Sequence, residues 1–326
     1  ASLEKQMEAA IARYDVQNGA FGLVMNAKTG EILAMATLGG YDPNHYLEIY
    51  DPSAATELVK QKAEASAEAY SEALSAARLK QWRNRCISDG YEPGSTFKVM
   101  TMAAALDCGA IDLNTAFYCK GAERIPGRAQ LLHCWRSAGH GSEQTPQALQ
   151  NSCNLAFAHI ALKLGGDRFY DYISRFGIME KTGIDLPGEG TSIFNAQMGE
   201  LDLAIYAFGQ NFNVTPLQHI SAISSVANGG KLLQPYMVEQ ITDDAGNVIY
   251  KHETVVKRQT VSEDVCKTIS RILEEGVSGD GGAKNAYVAG YRVAAKTGTS
   301  EKKERECPVC GYVAYPRTEG ETVTFV

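Results

Sequence analysis

A serine and a lysine, Ser95 and Lys98, stand three residues apart directly after Pro93-Gly94. The run at 99–106 contains good helix formers and stops at Cys108-Gly109, which predicts that Ser95 lies in the first turn of a helix. Residues three apart share one helix face, so the amine is expected beside the hydroxyl. A serine hydroxyl needs a base to act as a nucleophile, and burial lowers a lysine pKa enough to make it one.

Two later segments carry groups that suit the same chemistry. Ser152 and Asn154 fall in a short link between two predicted helices, and Lys296 opens a Lys-Thr-Gly-Thr run at the predicted end of a strand. Taken separately, Ser152 and Asn154 could cap a helix, and Lys296 could be an exposed charge. In the order S-x-x-K, S-x-N, K-T-G, however, they match the active-site set of the penicillin-recognising serine enzymes. We therefore favour the catalytic interpretation over three coincidences.

The elements that must position these groups follow from apolar periodicity and from Gly and Pro. The sequence predicts an amphipathic helix at 3–16, a β-hairpin from the apolar runs 20–26 and 31–37, and an exposed helical insertion at 53–80. Further helices are predicted at 145–151, 155–164, 215–227 and 262–275, and strands at 291–297 and 322–326. Because strands lie near both ends, we expect a sheet made of both ends with an all-helical insertion.

Longer stretches make the resemblance specific to class B penicillin-binding proteins, the monofunctional peptidoglycan D,D-transpeptidases of division and sporulation. The segments that resemble this family are 91–98, 26–35, 208–210, 214–218 and 227–232. The likeness covers nearly the whole chain. This sequence departs from the family in its insertion at 53–80, in a longer loop at 301–319, and in stopping at Val326, where the family continues into a strand and a C-terminal helix.

The resemblance implies an α/β (α+β) fold of the penicillin-binding transpeptidase and serine β-lactamase type. That fold has a central, mainly antiparallel sheet flanked by helices, with an all-helical subdomain. Residues 1–326 would form one transpeptidase domain. Its sheet subdomain would comprise about 1–50 and 230–326, and its helical subdomain about 85–230.

The resemblance also implies roles for the first two motifs. Ser95 would attack the carbonyl of the penultimate D-Ala in a peptidoglycan stem peptide ending in D-Ala-D-Ala, and Lys98 would accept the serine proton. Ser152 would relay a proton to the leaving D-Ala, and Asn154 would hold Lys98 and the substrate amide. An acyl-enzyme of this kind divides one difficult transfer into two easier steps.

In the third motif, Lys296 would supply positive potential, and Thr297 and Thr299 would bind the substrate carboxylate. Gly298 lets a backbone or ligand approach closely. The backbone N–H groups of Ser95 and Thr299 would form the oxyanion hole.

The eight cysteines raise a separate question about metal. Cys307-Pro-Val-Cys310 has the spacing of a zinc knuckle, half of a tetrahedral site, and the alternative is a pair of free or disulfide-linked thiols. Cys119 and Cys134 resemble a disulfide pair of some sporulation relatives, and either redox state is open. Cys153 is expected to be a small buried residue. The six histidines show no metal-ligand spacing, so we expect them at the surface or in the core.

Other functions share this chemistry. A β-lactamase or a D,D-carboxypeptidase would let water complete the reaction, and a β-lactam sensor would acylate and signal. Oxacillin-hydrolysing β-lactamases contain the same Ser-Thr-Phe-Lys run but usually carry valine where Asn154 stands. A structural wall scaffold would tolerate loss of Ser95 or Lys98, and both are present.

Composition is ordinary for a globular protein, with 326 residues and a net charge of -7. No basic, aromatic-rich patch points to nucleic acid, and no apolar run would span a bilayer. The resemblance implies a domain on the extracytoplasmic face of the bacterial membrane, held by an N-terminal anchor outside this sequence. It implies β-lactams, stem peptides, a glycosyltransferase and other wall-synthesis proteins as partners, and no required cofactor.

Overall fold

The computed structural model describes residues 1–16, 20–125, 131–301 and 322–325. The helices are α1 (Ser2–Tyr14), α2 (Pro52–Glu64), α3 (Ala67–Trp82), α4 (Arg85–Ser88), α5 (Lys98–Asp107), α6 (Thr145–Gln150), α7 (Asn154–Leu164), α8 (Gly166–Arg175), α9 (Glu200–Tyr206), α10 (Pro216–Ala227) and α11 (Glu263–Ser278). The strands are β1 (Phe21–Met25), β2 (Ile32–Thr37), β3 (Ala116–Cys119), β4 (Ala122–Glu123), β5 (Leu132–His133), β6 (Gly141–Gln144), β7 (Lys231–Leu233), β8 (Gln240–Thr242), β9 (Val248–Lys251), β10 (Val256–Gln259), β11 (Gly298–Glu301) and β12 (Thr322–Phe325). None of the helices in these ranges is long and apolar enough to cross a membrane.

Helix α5 lies at the centre of the hydrophobic core. Its residues from Lys98 to Ala105 are all buried, and it packs against α7, α8, α10 and α11. Three successive alanines, 103–105, allow the neighbouring helices to approach closely. Phe97, just before α5, packs edge-to-face against Phe212 with 4.7 Å between ring centroids. The start of α5 is therefore fixed from several sides.

In the described ranges each sheet has two strands, and the two strands are antiparallel. In the predicted β1–β2 hairpin Phe21 faces Thr37, and α1 covers the hairpin with Leu3 and Met7 against Gly22. The mixture of helices with antiparallel strands agrees with the predicted fold class. Among these residues the strands of the two chain ends form separate pairs, β1–β2 and β11–β12, so the single sheet expected from both ends is not seen in them.

Most predicted helices are confirmed, with differences at their ends. The sequence predicts Thr145 as an N-cap, but Thr145 lies inside α6, where its buried hydroxyl donates to Asp112 O at 2.6 Å and Gln144 takes the cap position. Helix α11 continues to Ser278. Helix α8 is not predicted, although Phe169 and Ile173 recur at helical spacing and are fully buried.

The insertion at 53–80 is confirmed as a mostly exposed pair of helices, α2 and α3. Asp51 caps α2 by accepting from the backbone N–H of Ser53 at 2.9 Å. In α3, Trp82 Nε1 donates to Tyr46 O at 2.8 Å, which fastens the pair to the preceding loop.

The predicted strand at 291–297 is wrong. Among the described residues this stretch has no ladder partner, and pairing begins only at Gly298, which faces Phe325 of β12. A strand needs the N–H and C=O groups of a neighbour as well as apolar residues, and β12 covers only 298–301. The Lys-Thr-Gly run therefore leads into a strand instead of ending one.

Candidate active site

Ser95 lies in a tight 3-10 turn, Gly94–Phe97, that continues directly into α5. Gly94 has a φ of 56° and donates its N–H to Gly209 O at 2.9 Å. A Cβ atom on Gly94 would lie 2.4 Å from Thr299 O, and one on Gly209 would lie 2.0 Å from Gly94 O. Only glycine allows these backbones to approach so closely. The turn that bears Ser95 is thus held between the Gly209 loop and β11.

The amine of Lys98 is buried in the core and is held by three oxygen atoms. Lys98 Nζ donates to Asn154 Oδ1 at 2.7 Å and to Ser152 O at 2.8 Å, and it lies 3.1 Å from Ser152 Oγ. The side chain has no exposed surface. Burial, followed by the nearby positive charge of Lys296, lowers the pKa of Lys98 well below its usual value. A neutral lysine is therefore favoured at this position.

Ser152 connects the first motif with the third. Its Oγ lies 3.1 Å from Lys98 Nζ and 2.9 Å from Lys296 Nζ. Its backbone has a φ of 54°, in the left-handed region that costs a non-glycine residue about 1–2 kcal/mol. The turn is held because Cys153 N donates to Ala148 O at 3.0 Å and Asn154 begins α7. This strained backbone conformation places the Ser152 hydroxyl between the amines of Lys98 and Lys296.

The third motif enters the site along the start of β11. Lys296 Nζ also donates to Thr297 O at 2.9 Å, and burial lowers the pKa of Lys296 to about 7. A Cβ on Gly298 would lie 2.9 Å from Thr96 Cγ2, so glycine permits contact between this strand and the turn that bears Ser95. Thr297 is half-buried and Thr299 is exposed, so both are accessible from solvent.

The hydrogen-bonding capacity of Lys98 shows what this arrangement can do. A neutral amine has two N–H donors and one lone pair. If its two donors serve Ser152 O and Asn154 Oδ1, the lone pair remains free to accept a proton from a hydroxyl. The half-buried Ser95 hydroxyl has no hydrogen-bond partner among the described residues, so it is free to receive a substrate. Catalytic hydrogen bonds often tighten only when substrate is bound.

The structure thus joins residues of the three predicted motifs: Lys98, Ser152, Asn154 and Lys296 are linked by hydrogen bonds, and the turn that bears Ser95 leads directly into the helix of Lys98. The side chains of Ser95 and Lys98 are not hydrogen-bonded to each other among the described residues. Cys307 and Cys310, the predicted zinc ligands, lie outside the described residues. Gly209 was not predicted as part of the site, although the Phe-Gly-Gln run around it was noted as part of the resemblance. Trp135 was also missed; it is exposed and donates from Nε1 to Asn151 O at 3.0 Å, beside the Ser152 turn.

Comparison with known proteins gives a consistent result. The family model described as the penicillin binding protein transpeptidase domain matches residues 20–326. Stage V sporulation protein D of Bacillus subtilis is 36% identical over 304 residues, which cover 92% of this chain and 42% of that protein. Peptidoglycan D,D-transpeptidase FtsI of Escherichia coli is 27% identical over 300 residues, covering 91% and 43%. The chain spans less than half the length of these curated relatives.

Solved structures agree with the fold. The D,D-transpeptidase domain of a peptidoglycan glycosyltransferase from Eggerthella lenta has a TM-score of 0.74 at 26% identity, covering 92% of this chain and 70% of that one. Penicillin-binding protein A of Mycobacterium tuberculosis, solved as an imipenem acyl-enzyme complex, has a TM-score of 0.70 at 25% identity, covering 86% and 62%. These similarities confirm the predicted fold class.

Proposed function

We propose, since this chain belongs to the family of penicillin-binding protein transpeptidase domains, that it is a serine acyl-transferase that cross-links peptidoglycan stem peptides. One observation carries the proposal: the buried Lys98 amine and the Lys296 amine both contact the Ser152 hydroxyl, next to the turn that bears Ser95. This arrangement offers a nucleophile, a base of lowered pKa and a hydroxyl that can relay a proton. The chemistry draws only on groups of the chain itself.

The first half of the reaction forms an acyl-enzyme. Lys98, neutral in its buried site, accepts the proton of Ser95 while Ser95 Oγ attacks the carbonyl carbon of the penultimate D-Ala. The C–N bond to the terminal D-Ala then breaks, and the leaving amine takes a proton that passes through Ser152. The path is short because Ser152 Oγ lies 3.1 Å from Lys98 Nζ.

The oxyanion and the substrate carboxylate are stabilised by groups of β11 and the turn that bears Ser95. The backbone N–H groups of Ser95 and Thr299 are assigned to the oxyanion hole, which is supported by the close backbone contact of Gly94 with Thr299. Lys296 supplies positive potential to the carboxylate, and the hydroxyls of Thr297 and Thr299 bind it. Gly298 keeps the strand close enough for these contacts.

In the second half, the amine of another stem peptide attacks the ester carbonyl carbon, an amide C–N bond forms, and the bond to Ser95 Oγ breaks. The amine's proton passes through Lys98 to Ser95 Oγ, which restores the hydroxyl. A β-lactam would acylate the same serine. The domain is assigned to the extracytoplasmic face of the membrane, with a glycosyltransferase and other wall-synthesis proteins as partners. Structural zinc at Cys307 and Cys310 stays a prediction, and loss of bound zinc in Cys307→Ser would test it.

A soluble donor peptide ending in D-Ala-D-Ala tests the proposal directly. The purified domain is incubated with this donor and with a D-amino acid as acceptor, and the products are separated by mass. We expect exchange of the terminal D-Ala for the acceptor, loss of this product in Ser95→Ala, and retention in the control Ser71→Ala, whose serine is exposed on α3. Hydrolysis without exchange at any acceptor concentration would instead indicate a D,D-carboxypeptidase. Rapid turnover of penicillin would indicate a β-lactamase.

A further inference from the structure

Directly behind the Ser152 turn, three thiols and an imidazole meet in the protein interior. Cys119, Cys134, His140 and Cys153 each offer one ligand atom, and these four atoms all lie within 4.8 Å of one another. The three cysteines are at most 5% exposed, and the His140 side chain is 2% exposed. We refer to these four residues as the thiol–imidazole cluster. The mechanism proposed above uses none of their side chains.

The distances in this cluster suit a tetrahedral metal. Zinc binds thiolate sulfur at about 2.3 Å and imidazole nitrogen at about 2.0–2.1 Å, which places sulfur and nitrogen ligands about 3.6 Å apart and two sulfurs about 3.8 Å apart. Cys134 Sγ lies 3.6 Å from His140 Nδ1. Because all four atoms lie within 4.8 Å of one another, no separation exceeds the ideal sulfur–sulfur distance by more than about 1 Å, a movement that side-chain rotation can supply.

The backbone around the cluster is shaped to bring its segments together. Cys119 ends β3, Cys134 follows β5, and the Cys134 N–H donates to Gly121 O at 2.8 Å. A Cβ on Gly121 would lie 1.9 Å from Ser137 O, and one on Gly139 would lie 2.2 Å from Cys119 O. Both glycines have positive φ, so the two loops cross at a distance that other residues would prevent.

Two buried polar atoms beside the cluster also lack partners. His140 Nε2 and Glu143 Oε2 have no hydrogen bond in the described part of the chain. Glu143 Oε2 lies 3.9 Å from His140 Nδ1, and the Glu143 side chain is 3% exposed. Buried polar atoms are normally satisfied by a partner. These atoms therefore point to an additional group at this position.

We propose that Cys119, Cys134, His140 and Cys153 bind one zinc ion. Three sulfur ligands and one nitrogen ligand, close enough to surround one ion tetrahedrally, favour zinc over the harder cations. Four protein ligands leave no open coordination position, as in structural zinc sites.

The ion's role is to position catalytic groups. Cys153 lies between Ser152 and Asn154, so a metal bond to its sulfur holds the turn that places the Ser152 hydroxyl and the Asn154 amide against Lys98. The strained φ of 54° at Ser152 needs such support. The proposed zinc site and the proposed acyl transfer use different side chains, so experiments can refute either proposal without refuting the other.

Metal content tests the assignment independently of activity. The full chain is purified under reducing conditions without added metal, and zinc is measured by elemental mass spectrometry. We expect about one equivalent per chain at this site, lost in Cys134→Ser and in Cys119→Ser. The equivalent should be kept in the controls Cys108→Ser and Cys266→Ser, whose thiols lie outside the cluster, and in the double variant Cys307→Ser/Cys310→Ser.

A second measurement covers variants that fail to fold. Zinc is removed from the wild-type protein with a chelator, and Co²⁺ is added. Tetrahedral thiolate coordination should give intense visible absorption bands and a sulfur-to-metal charge-transfer band. Removing zinc should lower the Tm, and adding Co²⁺ should restore it. Less than about a tenth of an equivalent of zinc in the wild type would overturn the proposal. So would zinc that survives Cys134→Ser but is lost in the double variant, or a Cys119–Cys134 disulfide in zinc-free, fully stable protein.

Discussion

Replacing Lys98 with methionine should nearly abolish acylation while leaving the fold intact. Methionine keeps an apolar stem of similar length but cannot accept the proton of Ser95. Loss of a positioned general base costs about 10²–10⁴-fold in rate, or about 3–5 kcal/mol of activation free energy. Because Lys98 has no exposed surface, bulk water cannot take its place, and we expect a loss of about 10³–10⁴-fold.

The assay is the second-order rate constant for acylation by a fluorescent penicillin, read from labelled protein on a gel. Thermal melting checks that Lys98→Met is folded, and competition at short times measures non-covalent binding, which should change little. Lys163→Ala, which removes an exposed lysine from α7, is the matched control. An unchanged acylation rate in folded Lys98→Met would remove Lys98 from the mechanism.

Three further changes probe the same site. Ser152→Ala removes the hydroxyl between the two amines, so acylation by penicillin should slow by about 10²-fold or more with little change in Tm; a normal rate would exclude the relay. Gly209→Ala should lower the free energy of unfolding by more than about 2 kcal/mol, because its Cβ would overlap Gly94 O. The control is Gly165→Ala, which has the same φ of 82° but open space around its Cβ, so it should show only the cost of positive φ. Equal losses of the two variants in urea unfolding would refute this. Lys296 has a pKa of about 7 in the folded chain and about 10.4 in the unfolded chain, so between pH 7 and pH 10.4 the unfolded chain binds more protons. The free energy of unfolding should therefore rise with pH in this range, and Lys296→Met should flatten that rise in urea titrations. The same pH dependence in both proteins would contradict this.

The local signals in the sequence were sufficient to place the motifs. The Pro-Gly break before Ser95 and the Thr215-Pro216 start of α10 are decided by short-range backbone chemistry, and both were predicted. The strand at 291–297 was predicted wrongly because a strand depends on a partner from elsewhere in the chain. Helix α8 was missed because Gly165 looks like a terminator, whereas it links two helices.

The site's energetics depend on distant contacts and were less predictable. The sequence suggested a base of lowered pKa at Lys98, but the second cause, the nearby amine of Lys296, required the folded arrangement. The thiol–imidazole cluster was not predicted, because its ligands come from three segments of the chain and lack a recognised metal-binding spacing. The expectation that Cys153 is buried is confirmed, at 0% exposed.

The most direct test of the proposed acyl-transfer chemistry is to identify the residue that penicillin modifies covalently. The intact protein is incubated with penicillin, its mass is measured over time, and the adduct is located by peptide mapping. We expect one long-lived adduct per chain on Ser95 and no adduct in Ser95→Ala. An adduct on Ser152 or Ser300, or persistent labelling of Ser95→Ala, would contradict the assignment of Ser95 as the nucleophile.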